Sequence, residues 1–271
     1  MLGHAQGVLL ADVRQSYREE FAWLAEMTGP TRDLDVYILE WDRYVGELTA
    51  EHKGQLESVL LHLRLHRARA LNELVTALQS DRAKKLIASW RLTLRQLEAG
   101  SEIAPKAHKP LPRVVSARIR DAHQALLDNG RAITASSPAE ALHDLRKDAK
   151  KLRYAVECFG GLLPDAERKA FVRQLKELQD NLGEHQDAEV HSAELNAVAR
   201  ELAGPNSGPD IGPDAGPDTL PDTLMALGAL TEHLELGKRA ARSEFAQRFA
   251  DFDSKKTRTI LAKLLDPKST K

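Results

Sequence analysis

SPAEALHDLRKDAKKLRYAVE, residues 137–157, is the stretch on which the reading of the fold turns. Ser137 stands as an N-cap, Pro138 at the first helical position and Glu140 three residues after the cap, a capping box with the favoured proline. Gly160, Gly161 and Pro164 punctuate the far end. At about 100° per residue, Leu142, Leu145, Ala149, Leu152, Val156 and Phe159 share one stripe, which predicts a helix over 138–159 with that stripe in the core. His143, Arg146, Lys147, Lys150, Arg153 and Tyr154 gather on a separate face. Asp144 and Asp148 fall on its flank, as does Lys151, so the cationic face carries no carboxylate of its own helix.

So much positive charge on one element is a local feature, because the 271-residue chain has a formal net charge of −1. Aromatic residues make up 5% and hydrophobic residues 42%, with Leu, Ala, Glu, Lys and Arg abundant, the composition of a helical protein with a sizeable core. The one cysteine, Cys158, has no partner for an internal disulfide, which suits a reducing compartment. No apolar run approaches bilayer-spanning length, and the first residues lack a basic-then-apolar signal. The expectation is a soluble, cytoplasmic, all-α protein.

Helical periodicity predicts helices near 10–27, 34–50, 54–79, 82–98, 113–129, 138–159, 165–181, 187–202, 222–249 and 252–265. AGSEIAPKAHKPLP (99–112) reads as a linker between a first half, 1–98, and a second half, 113–265. GPNSGPDIGPDAGPD (204–218) repeats Gly-Pro every four residues and reads as a disordered insertion spanning 203–221.

The two halves repeat. EFAWLAEMTGPTRDLDV (20–36) aligns with QLKELQDNLGEHQDAEV (174–190), matching Leu24 to Leu178, Gly29 to Gly183, Asp33 to Asp187 and Val36 to Val190. Each copy reads as a helix, a Gly C-cap, a polar turn ending in Asp, and a new helix starting there. At the same offset, the counterpart of His143 falls before residue 1, so the first half reads as lacking its basic helix, through truncation or a misplaced start. The loss leaves apolar surface that an oligomeric partner could cover.

Cations also sit in or beside apolar stripes elsewhere. Arg67, with Arg64 at the edge, lies among Leu56, Leu60, Leu63, Leu71, Leu74 and Leu78. Lys238, with Arg242 at the border, lies among Leu227, Leu234, Ala241, Phe245 and Phe249. A cation in an apolar seam is costly unless paired or wetted. An ordinary ion pair explains one such case; its occurrence in both halves points to a cation-lined groove. Arg forks fit phosphate oxygens bidentately, Lys adds point charge, and His and Tyr donate single hydrogen bonds. Cations one turn apart suit a repeating polyanion.

LHDLRKDAKKLRYAVE, followed by LKELQDNLGEHQDAEV, resembles the conserved-histidine α-helical domain, or CHAD, family, and REEFAWLAEMTGPTRDLDV is similar to that family's first-half motif. The resemblance spans about residues 10 to 265. It implies two pseudo-symmetric antiparallel helical bundles around a central basic groove that binds inorganic polyphosphate without catalysis, at polyphosphate granules. It makes His143 the namesake histidine of the second copy, with Arg146, Lys147, Lys150, Arg153 and Tyr154 as its phosphate-facing partners.

Other classes stay open beside it. Non-specific nucleic-acid binding is possible, since phosphate contacts carry no sequence information, though stacking aromatics are scarce. A scaffold role gains weight from the missing helix. An accessory part of a phosphohydrolase is the remaining reading, against which stand the absence of a Gly-rich phosphate loop, a Ser elbow and alternating-Glu strands. No cofactor and no metal is expected. In GEHQDAEVH (183–191), Asp187 as an N-cap keeps His185 and His191 off a shared face, and His62 and His66 beside Arg69 read as a plain solvated pair.

Overall fold

A computed structural model describes residues 9–98, 109–204 and 219–266; residues 1–8, 99–108 of the linker, 205–218 of the expected 203–221 insertion and 267–271 lie outside them. The chain is all-α. In order come α1 (Ala11–Leu39), α2 (Trp41–Val45), α3 (Ala50–Gln55), α4 (Glu57–Gln79), α5 (Asp81–Glu98), α6 (Leu111–Arg131), α7 (Ala139–Cys158), a 3₁₀ turn at Gly160–Leu162, α8 (Asp165–Leu202), α9 (Thr219–Phe252) and α10 (Lys255–Leu264).

Two compact units result, and they do not follow the consecutive halves expected from the linker. Among the described residues, the first unit holds 109–188 and 237–266, and the second holds 9–98, 189–204 and 219–236. The division falls inside α8 and α9; α9 is expected as one helix, whereas α8 runs on past the stop that local punctuation suggests near Gly183.

The first unit is built on α7. Its stripe is buried as the periodicity requires: Leu142, Leu145, Ala149, Leu152 and Val156 are at most 1% exposed. They pack with Ile119 and Leu126 of α6, Phe171, Leu175 and Leu178 of α8, Phe245, Phe249 and Phe252 of α9, and Leu264 of α10. Truncating one such leucine to Ala costs about 2–5 kcal/mol. At Gly130 of α6 a Cβ would stand 2.0 Å from Phe249 Cε2, so only glycine lets the ring of α9 lie so close. Ser254 caps α10 by accepting from the Thr257 N–H at 3.2 Å.

The second unit buries Tyr37, Trp41, Tyr44 and Val45 against Leu56, Val59 and Leu63, and against Leu195, Val198, Leu202, Ala226, Leu227 and Leu230. Tyr37 stacks on His191 with ring centroids 4.0 Å apart and planes within 6°. The stripe expected for α4 is buried only over its first turns. Leu56 and Leu63 are fully buried, whereas Leu78 is 49% exposed.

Three local expectations give way. Gly29 and Gly183 are not C-caps: α1 runs unbroken through Gly29-Pro30 and α8 through Gly183. Both copies of the repeat therefore share a continuous helix. Glycine and proline weigh against helix by about 1 and 3 kcal/mol, and tertiary burial on either side outweighs them. Gly29 also eases Pro30, since the residue before proline is crowded in the α region partly through its Cβ. Asp187 is consequently mid-helix and no N-cap. Ser137, finally, does not cap α7. Its Oγ accepts from the Thr134 N–H at 3.0 Å in the preceding turn, and Pro138 takes the N-cap position.

Candidate anion-binding face

The basic face of α7 lies in the first unit, and burial of the leucine stripe dictates it, because the stripe fixes the rotation of the helix and turns His143, Arg146, Lys150 and Arg153 to the half-buried margin. From His143 to Arg153 the rise is about 15 Å, longer than one phosphate group.

His143 Nδ1 lies 2.5 Å from Gln186 Oε1 of α8. An amide oxygen only accepts, so the ring proton sits on Nδ1, leaving Nε2 as the nitrogen directed to another partner. Gln186 brings no charge, and a protonated His143 keeps its full positive charge toward an anion. Arg146 Nη2 stands 3.6 Å from Asp187 Oδ1, also on α8. That separation gives Coulomb attraction without a hydrogen bond, so the guanidinium keeps its donors. The face read as carboxylate-free thus meets Asp187 of its neighbour and, beside Arg153, Glu157 of α7 itself.

Lys147 leans away, donating to Asp144 Oδ1 at 3.0 Å. The bond with Lys147 holds the Asp144 carboxyl below its ordinary range. Lys151 donates to Asp148 Oδ1 at 2.7 Å and belongs to the flank, as the projection places it. Lys150 is half-buried on the face. Arg153 lies 3.7 Å from Glu157 and 5.6 Å above the ring of exposed Tyr154.

Beyond α7, Lys238 is half-buried on α9. Arg242 Nη2 donates to the carbonyl oxygens of Thr134 (2.6 Å), Ala135 (3.3 Å) and Ser137 (2.9 Å). It clasps the turn that leads into α7, so its charge is met by backbone carbonyls. In the second unit, Arg67 is not stranded among leucines: its Nε donates to Asp35 Oδ1 at 2.6 Å. Arg64 is exposed on α4. The apolar-seam argument for those two therefore dissolves into an ion pair and a solvated side chain.

His62 and His66 are half-buried and not a plain solvated pair. His62 Nε2 is 2.7 Å from Glu201 Oε2, and His66 Nδ1 is 3.3 Å from Glu194 Oε1. Hydrogen bonding to His62, with His66 close by, lowers the pKa of Glu201. His185 is buried in the first unit; His191 is buried in the second, where desolvation, opposed by Glu40 and aided by Arg43, lowers its pKa to about 4. Sequence reasoning missed Gln186, Glu194 and Glu201. The one trace of them in the sequence is that Glu194 and Glu201, seven apart, share a helix face.

Residues 2–196 match the CHAD domain family. The chain belongs to this family. Its helices are the all-α fold of a CHAD domain, and α7 with the Gly183–Asp187 stretch of α8 lies within the matched span. At 30% identity over 214 residues it is similar to the uncharacterized proteins Rv2226 of Mycobacterium tuberculosis strain H37Rv and MT2285 of strain CDC 1551. Those matches take in 73% of this CHAD protein and 40% of each relative, so the chain spans well under half the length of the curated relatives it matches. PptA from Streptomyces chartreusis has a similar structure, with a TM-score of 0.64 at 22% identity over 92% of this chain and 84% of that one. Among the described residues of this CHAD protein, no helix is long and apolar enough to cross a membrane.

Proposed function

We propose that this CHAD protein binds inorganic polyphosphate, without catalysis, on the basic face of α7. The observation that carries the reading is the pairing of His143 with Gln186. A histidine meant to hold a cation or serve as a base commonly faces a carboxylate, whereas an uncharged amide partner leaves an imidazolium free to attract phosphate. His143, Arg146, Lys147, Lys150, Arg153 and Tyr154 are the proposed contacts, with Lys238 of α9 a further candidate in the same unit. Arg242 positions α7 through the turn it clasps. Arg64 and Arg67 are candidate contacts of the second unit alone. Family membership supports the polyphosphate class, as does a row of cations longer than a single phosphate ester requires. Polyphosphate bodies of the cytoplasm are the proposed location.

Charge reversal tests the face. Arg146→Glu with Lys150→Glu should weaken binding of long-chain polyphosphate by about 100-fold or more and lower the salt slope by roughly two counterions. Lys255→Glu with Lys256→Glu, exposed on α10, should change affinity by no more than a few fold. Equal losses from the two pairs would mean diffuse surface charge and sink the proposal.

A further inference from the structure

A second, differently built cluster lies in the second unit and owes nothing to polyphosphate binding. His62 and His66 are one turn apart on α4, with ring centroids 4.3 Å apart. Opposite them, Glu194 and Glu201 are two turns apart on α8. Glu201 Oε2 is 2.7 Å from His62 Nε2 and 3.2 Å from His66 Nε2, while His66 Nδ1 faces Glu194 Oε1 at 3.3 Å. One ligand atom from each of His62, His66 and Glu201 falls within 4.8 Å of the others.

The placement of the ligand atoms is the telling feature. A neutral His66 that donates from Nδ1 to Glu194 has a lone pair on Nε2. That Nε2 stands 3.2 Å from Oε2 of Glu201, the same oxygen that lies 2.7 Å from His62 Nε2. In zinc sites a ligating histidine almost always gives its other N–H to a carboxylate, a backbone carbonyl or water, and the Glu194 carboxylate stands 3.3 Å from His66 Nδ1 to take it. Zinc bonds of about 2.0–2.1 Å place neighbouring tetrahedral ligand atoms about 3.3 Å apart; His66 Nε2 and Glu201 Oε2 stand at 3.2 Å, and His62 Nε2, now hydrogen-bonded to that oxygen at 2.7 Å, would move outward by about 0.6 Å to admit the ion. Two imidazoles and one carboxylate form a donor set for a borderline divalent ion and suit calcium or magnesium poorly.

We infer that His62 Nε2, His66 Nε2 and Glu201 bind a divalent transition ion of the zinc class, with Glu194 holding His66 in the ligating tautomer. The ion ties α4 to α8 across the second unit and leaves at least one coordination position for water. His62, His66 and Glu201 are 24%, 19% and 52% exposed, so an ion can enter from solvent.

The test uses the full chain, free of any histidine tag and stripped with chelator, in buffer without phosphate or polyphosphate. Zinc chloride is titrated by calorimetry, and cobalt chloride is followed through its visible d–d absorption. The expected result is one equivalent bound, a melting temperature that rises with zinc, and the intense cobalt spectrum of a four-coordinate site. His62→Ala and the near-isosteric Glu201→Gln should each weaken binding at least tenfold, and Glu194→Gln by about 10–100-fold. Circular dichroism of the metal-free variants checks that they fold. No saturable binding would overturn the inference. Saturable binding unchanged in both His62→Ala and Glu201→Gln would overturn it equally, because the ion would then sit elsewhere.

Discussion

Two stretches of the same helix present opposite chemistry to histidines. At its middle, α8 offers His143 the amide oxygen of Gln186; toward its C-terminal end it offers His62 and His66 the carboxylates of Glu201 and Glu194. The first environment leaves a histidine ready to carry charge toward an anion, and the second gathers lone pairs suited to a cation. The difference lies in the partner and not in the histidine. Ligand class therefore cannot be read from the histidine-bearing helices alone.

His191 extends the comparison, since it is stacked on Tyr37 inside the core of the second unit. Its pKa is lowered to about 4, first by desolvation. An unfolded chain takes up the proton near 6.5, so stability present above that pH is lost as pH falls from about 6.5 to about 4. The loss amounts to about 3 kcal/mol. Denaturant midpoints measured from pH 7.5 to 4.5 should show it, and His191→Phe should flatten that part of the profile. An unchanged profile would place the acid sensitivity on other groups.

Exchanging the partners sharpens the contrast directly. Gln186→Glu would set a carboxylate against His143, and polyphosphate affinity should fall by about 10-fold, on the scale of one charge-assisted contact. Unaltered affinity would mean that His143 does not face the anion.

Much of this was legible from local sequence. The α7 stripe and the Leu227–Phe249 stripe of α9 are buried as a period of 3.6 demands, and His143, Arg146 and Lys150 share a face because one helix carries them all. The helix ends at Gly29 and Gly183 misled, since end signals are local whereas burial of Tyr37, Leu182 and Leu195 acts across the fold. The partners were beyond reach for the same reason. Gln186 lies 43 residues from His143, and Glu201 lies 139 from His62.

The smallest expected effect concerns the repeat itself. A Cβ at Gly183 would meet nothing within 4 Å, so Gly183→Ala should stabilise the chain by about 0.5–1 kcal/mol. Gly29→Ala should gain less or nothing, because Pro30 crowds the residue before it. Thermal melts of the two variants side by side check this, and a loss at Gly183 would contradict the continuous α8.

The most direct measurement is a titration of the full chain with long-chain polyphosphate at near-physiological salt, with duplex DNA in excess. The account predicts saturable binding that DNA fails to displace. Binding that DNA removes, or no binding at all, would contradict a polyphosphate site on α7.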